Sequence, residues 1–108
     1  MLTGVGYEVL TANSRADAMS VLDIVGQSVD VLILDIRLPD ADGSAVAQDI
    51  AARIGQRPTL YVSGWTDDFW DLADAPGRWR VRQKPIPIPW LLDTVKWLAG
   101  GGKEPPPE

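Results

Sequence analysis

The sequence predicts an α/β domain in which a parallel sheet carries helices on both faces. Short apolar runs rich in β-branched and aliphatic residues alternate with segments whose apolar residues recur at helical spacing. One of these runs, 29–35 (VDVLILD), is almost wholly apolar, which is typical of a strand buried on both faces of a parallel sheet. The connections are only a few residues long, and such strand–helix alternation favours right-handed crossovers between parallel strands.

The first strand is predicted over 7–11 (YEVLT), and a helix follows it. Ser14 and Asp17 stand three residues apart, as in a capping box, and apolar residues at helical spacing continue until Gly26 stops the helix. The apolar run 29–35 is the second strand.

Turn residues then separate the second strand from the next helix. In the stretch IRLPDADG, Pro39 and the pair Asp42-Gly43 exclude regular structure. A helix with an apolar stripe from Val46 to Ile54 follows and ends at Gly55, and the run 59–63 (TLYVS) is the third strand.

The last part of the chain repeats the alternation. Thr66 is expected to cap a short helix that ends at Pro76-Gly77, and 79–83 is the fourth strand. A proline-rich connector, 84–89, leads into the final helix, whose first turn suits Pro89. The Gly- and Pro-rich segment 100–108 is predicted to be a flexible tail, which leaves one domain over residues 1–99.

Composition excludes several kinds of chemistry. The 108 residues include no histidine and no cysteine, so His-dependent nucleophile systems, disulfides and His/Cys zinc sites are impossible. A net charge of −5 disfavours nucleic-acid binding, and the local basic run at Arg78, Arg80, Arg82 and Lys84 is interpreted as a solvated strand face. The sequence has neither a membrane-length apolar run nor a leader pattern, so we expect a cytoplasmic protein without membrane contact.

Three polar residues fall at the carboxyl ends of successive strands, where ligands bind in such sheets. Asp35, Ser63 and Lys84 close the second, third and fourth strands. A carboxylate, a hydroxyl and an ammonium group are the set needed to accept a phosphoryl group. The alternative for each residue alone is structural, as a buried ion pair with a capping serine.

The segments VDVLILDIRLPDADG, TLYVSGW and VRQKPIP, with the final helix, resemble the receiver domain of bacterial two-component response regulators. The resemblance covers about residues 7–99 and is closest to the single-domain, CheY-like type. It implies a flavodoxin-like parallel sheet with Asp35 as phosphoacceptor. It further implies that Ser63, Gly64 and Lys84 contact the phosphate and that the peptide between Lys84 and Pro85 is cis.

The resemblance also implies Mg²⁺, held in that family by an acidic pair, the acceptor and a backbone carbonyl. Asp35 and the carbonyl of Arg37 occupy two of these places. Only six residues precede Tyr7, however, so the family's first strand, the acidic pair that ends it and most of the family's first helix are expected to be absent. The strand 7–11 is then expected to pair directly with 29–35, or to be separated from it by a gap that another chain fills. Other acidic loop residues could substitute for the pair, although turn and cap roles fit them better: Asp40, Asp42, Asp67 and Asp68.

By this resemblance the chain is expected to be a non-enzymatic receiver, phosphorylated by a histidine kinase or phosphotransfer protein. A rival interpretation is a degenerate receiver that acts only as an interaction module. An aspartate-nucleophile phosphatase is disfavoured because Arg37 stands where that family has a second Asp.

Val81 stands where many receiver domains have the switch aromatic. Trp90 and Trp97 are candidates either for a homodimer interface or for the core.

Overall fold

The computed structural model describes residues 8–64 and 78–100, which form an α/β unit around one parallel sheet. The strands are β1 (Val9–Ala12), β2 (Val31–Asp35), β3 (Thr59–Ser63) and β4 (Trp79–Gln83). Within the same residues the helices are α1 (Arg15–Val25), α2 (Gly43–Ile54) and α3 (Ile88–Leu98). The prediction of an α/β domain is confirmed, and the arrangement is compatible with a flavodoxin-like fold. The helix predicted from Thr66 and the tail beyond Gly100 lie outside the described residues.

The strands follow one another across the sheet in chain order, β1-β2-β3-β4, and every neighbouring pair is parallel. β1 pairs directly with β2, from Val9 beside Val31 to Ala12 beside Leu34. Of the two arrangements considered for the first predicted strand, the structure therefore has direct pairing without a gap.

Each face of the sheet has its own core, because alternate residues of a strand point to opposite faces. α1 and α2 cover the face that includes Leu10, Leu34 and Tyr61. α3 covers the opposite face, packing against Val31 and Leu60. The prediction of helices on both faces is confirmed for the described helices.

Local signals in the sequence account for the helix ends. The Ser14 hydroxyl accepts the amide N–H of Asp17 at 3.0 Å, and the Asp17 carboxylate in turn accepts the amide N–H of Asn13 at 3.1 Å. Gly26 and Gly55 end α1 and α2 with φ of 56° and 89°, a conformation that favours glycine. Pro89 lies in the first turn of α3, where its missing N–H leaves no helical hydrogen bond unmade.

Candidate functional site

Asp35 and Lys84 form an ion pair at the carboxyl edge of the sheet. The Lys84 Nζ lies 2.8 Å from the Asp35 Oδ1, and the two side chains are 50% and 31% exposed. The strand register brings them together, since Asp35 ends β2 beside Val62 and Lys84 follows the last residue of β4. The carboxylate is thus partly accessible from solvent and directly faces a cation.

Ser63 lies at the same edge, between these two residues. It ends β3 and is 4% exposed, and its carbonyl accepts the Lys84 amide N–H at 2.7 Å. The peptide between Lys84 and Pro85 is cis. Gly64 follows Ser63, and a Cβ placed on it would meet no heavy atom within 4 Å. The structure therefore brings together, at one edge, Asp35 and the three residues that the resemblance assigns to phosphate contact.

The loop after Asp35 is folded tightly against the strand end. The amide of Gly43 donates to the Ile36 carbonyl at 2.7 Å, and that of Leu38 to the Ala41 carbonyl at 2.9 Å. Arg37 and Asp42 also form an antiparallel bridge across this loop. We call residues 36–42 the acceptor loop. Its close return explains why glycine opens α2.

Asp40, at the tip of the acceptor loop, binds the start of α1. Its Oδ1 accepts the Arg15 amide N–H at 2.7 Å and its Oδ2 accepts the Ala16 amide N–H at 3.1 Å. These hydrogen bonds, chiefly the one from Arg15, lower the pKa of Asp40 because they stabilise its charged form. The Arg15 guanidinium in turn binds Asp49 of α2 at 2.7 Å, which raises the pKa of Arg15. Asp40 thus serves as a helix cap.

The described residues do not by themselves make a magnesium site. Within 8–64 and 78–100, no group of three or more Asp, Glu, His or Cys side chains comes together that could hold a metal ion. Asp42 precedes α2 as its N-cap residue, where its carbonyl accepts the Val46 amide. Asp67 and Asp68 lie outside the described residues. Mg²⁺ prefers an octahedral oxygen shell, so Asp35 with the Arg37 carbonyl is an incomplete ligand set.

Tryptophans of α3 stack with arginines of β4 and with Arg78, which precedes that strand, on the face opposite α1 and α2. Arg78 and Arg80 each have their guanidinium carbon 4.0 Å from the Trp97 ring centroid, and Arg82 lies 4.6 Å from that of Trp90. Trp90 is 9% exposed and belongs to the core under α3, whereas Trp97 is only partly buried. Of the two interface candidates, Trp97 is therefore the one that retains surface for a partner.

Val81, in the place of the family's switch aromatic, packs on the face covered by α1 and α2, beside a buried aromatic pair. The Tyr61 and Trp79 rings meet edge to face with centroids 6.0 Å apart. Burial raises the pKa of Tyr61 to about 12, with a smaller opposing effect from the Thr59 hydroxyl. Tyr61 of β3 is the strand partner of Val81 in β4. The aromatic ring at this level of the sheet therefore lies on β3, beside the valine, and not at position 81 itself.

Gln83 is a residue at this edge to which the sequence interpretation gave no role. Its side-chain amide donates to the Gly64 carbonyl at 3.3 Å and so joins the end of β4 to the turn after β3. The register of β3 and β4 is the signal that indicates this role, because it makes Gln83 the strand partner of Ser63.

Comparisons with known proteins give one weak similarity. The sensor kinase CckA of Brucella abortus (strain 2308) is 27% identical to this chain over 92 residues. The aligned part is 84% of this chain and 10% of that kinase, so the chain spans about a tenth of its relative's length. No family model matches the chain. No solved structure matches it. The similarity suggests a receiver-like domain and hints at two-component signalling, without a specific function.

A separate finding concerns membranes. Among the helices within residues 8–64 and 78–100, none has the length and apolar character needed to cross a bilayer.

Proposed function

We propose that this chain is a flavodoxin-like receiver module of two-component signalling that accepts a phosphoryl group on Asp35. The observation that carries the proposal is the ion pair between Asp35 and Lys84 at the carboxyl edge of a parallel sheet. Single surface ion pairs contribute little stability, about 0 to 1 kcal/mol, so folding alone gives a weak reason for this one. A chemical role for the pair accounts for its place among Ser63 and Gly64.

The proposed transfer is a displacement at phosphorus. A carboxylate oxygen of Asp35 forms a bond to phosphorus while the bond from phosphorus to the donor atom breaks, and the donor atom leaves with the electron pair. The product is an acyl phosphate, which adds about −1.5 to −2 charge at neutral pH. Lys84, 2.8 Å from the carboxylate, balances this charge, and the Ser63 hydroxyl is the proposed partner of a phosphoryl oxygen.

The proposal includes a donor and a location. The donor is a histidine kinase or a phosphotransfer protein, and the similarity to a sensor kinase supports that class of partner. Because receivers of this kind act beside their kinases, the proposed compartment is the bacterial cytoplasm.

A second candidate function is a degenerate receiver that binds partners without being phosphorylated. The observation in its favour is the incomplete magnesium site among the described residues. Partner contact through Trp97, which lies on α3 against Arg78 and Arg80, fits this candidate as well as the first. Both candidates allow a homodimer through the face formed by the last predicted helix, strand and helix, of which β4 and α3 lie within the described residues.

Incubation with acetyl phosphate and magnesium, followed by intact-mass measurement, separates the two candidates. The proposal predicts a single phosphate adduct on the unmodified chain and none on Asp35→Asn. Asp23→Asn is the matched control, because Asp23 is an exposed carboxylate of α1 that pairs with Arg53 away from the strand ends. Absence of an adduct from the unmodified chain would contradict phosphoryl acceptance and favour the interaction module.

A further inference from the structure

We propose that Asp40 is a positioning residue for Asp35, because it fastens the acceptor loop to the first turn of α1. This inference rests on the proposed phosphorylation of Asp35 and adds to it a residue that never touches the phosphoryl group. The observation behind it is a contact between two parts of the chain that are distant in sequence. The Asp40 carboxylate accepts amides that lie 25 and 24 residues before it.

Both ends of the acceptor loop are held next to Asp35. Ile36, the next residue, donates its amide to Val62 of β3 at 2.9 Å, and its carbonyl accepts the Gly43 amide at 2.7 Å. Gly43 packs so closely that a Cβ there would overlap the Asp35 carbonyl oxygen. A shift of either end of the loop therefore displaces atoms that pack against the Asp35 backbone.

The tip of the loop, at Pro39 and Asp40, is held by the Asp40 carboxylate. Pro39 and Asp40 are exposed, whereas their neighbours Leu38 and Ala41 pack against the core under α1 and α2. Both carboxylate oxygens of Asp40 are used, each by one amide of α1. A carboxylate bound to helix N-terminal amides is a strong, charge-assisted hydrogen bond acceptor. The start of α1 is itself fixed, since the Arg15 side chain binds Asp49 of α2 at 2.7 Å.

Displacement chemistry requires the attacking oxygen to be aligned with the bond that breaks, and small misplacements slow such reactions strongly. Removal of the Asp40 carboxylate frees the loop tip and lowers the fraction of molecules in which Asp35 is aligned. From the usual contribution of a helix-capping side chain, we expect phosphorylation to slow by about five- to tenfold.

Ser14 provides a matched control. Its hydroxyl caps the same helix by accepting the Asp17 amide at 3.0 Å, but that contact is within α1 and does not reach the acceptor loop. Ser14→Ala therefore weakens the start of α1 as Asp40→Ala does, while it leaves the loop fastened. Asp40→Asn keeps one acceptor oxygen and is the conservative variant.

The experiment measures the rate of labelling by acetyl phosphate with magnesium, together with amide hydrogen exchange, on the full chain. We expect Asp40→Ala to slow labelling five- to tenfold, Asp40→Asn to give an intermediate rate, and Ser14→Ala to stay within about twofold of the unmodified chain. The amides of Leu38 and Gly43 should exchange faster in Asp40→Ala alone.

If Asp40→Ala and Ser14→Ala are labelled at equal rates, whether both match the unmodified chain or both are slower, the positioning role is overturned and the proposed function stays intact. So would unchanged exchange at Leu38 and Gly43 in Asp40→Ala. Failure of the unmodified chain itself to be labelled is a different result, because it refutes phosphoryl acceptance and removes the positioning role with it.

Discussion

Replacement of Gly43 by alanine tests whether β2 and α2 are packed as closely as the structure shows. The added Cβ would overlap the Asp35 carbonyl oxygen and would lie 3.1 Å from the Asp35 carbonyl carbon and 3.2 Å from the Ile36 Cα. All three neighbours are backbone atoms, which cannot rotate away. Either β2 or α2 must therefore shift.

The expected cost follows from two opposing effects. Overpacking in a well-packed region costs about 1 to 3 kcal/mol, and the upper part of that range applies when the obstructing atoms are backbone. Alanine gains up to about 1 kcal/mol over glycine from its higher helix propensity. The net expectation for Gly43→Ala is a loss of about 2 kcal/mol in the free energy of unfolding, or a fall of roughly 10 °C in Tm.

Urea denaturation followed by tryptophan fluorescence measures this change, with an unchanged m-value as the sign that the denatured state is unaffected. Gly64→Ala is the matched control, since a Cβ there meets no heavy atom within 4 Å, and its stability should change by less than about 0.5 kcal/mol. If Gly43→Ala and Gly64→Ala unfold at the same midpoint, the described packing of α2 against Asp35 is wrong.

Three further changes test other parts of the structure. Ile50→Ala should lower the free energy of unfolding by about 2 to 5 kcal/mol because Ile50 is fully buried, whereas Ile24→Ala should have little effect because Ile24 is 84% exposed; comparable urea midpoints would contradict this. Asp40→Asn should lower the free energy of unfolding at neutral pH. The hydrogen bonds from α1 hold the folded pKa of Asp40 below its ordinary value of 3.8, so the difference between the variant and the unmodified chain should vanish as the pH falls through that folded pKa. A constant difference across that range, measured by urea unfolding, would argue against the contact with α1. Trp97→Ala should weaken self-association in sedimentation equilibrium while the chain stays folded, and unchanged association would exclude Trp97 from a dimer interface.

Much of the described fold was predictable because its signals are local. The strands 59–63 and 79–83 have the predicted bounds, and α1 lies between Ser14 and Gly26 as expected. Short apolar runs next to Gly and Pro, and a hydroxyl three residues before a carboxylate, involve only neighbouring residues. Such patterns can be interpreted without knowledge of the rest of the chain.

The parts of the site that depend on distant contacts were not predictable to the same degree. Asp40 was interpreted as a turn or cap residue, but the helix that it caps begins 25 residues earlier, and that pairing depends on how α1 and α2 lie on the sheet. The contact of Gln83 with Gly64 depends on the register of β3 and β4. Trp90 and Trp97 show the same difficulty, because helical spacing alone does not separate the buried ring from the partly exposed one.

The most direct test of the central claim is to locate the phosphoryl group. After incubation with acetyl phosphate and magnesium, borohydride reduces an aspartyl phosphate to homoserine, which peptide mass spectrometry assigns to a single position. Phosphoryl acceptance at the ion pair with Lys84 predicts homoserine at position 35 and at no other aspartate. Homoserine at a different aspartate, or none in the unmodified chain, would contradict the claim that this chain is a phosphoryl-accepting receiver.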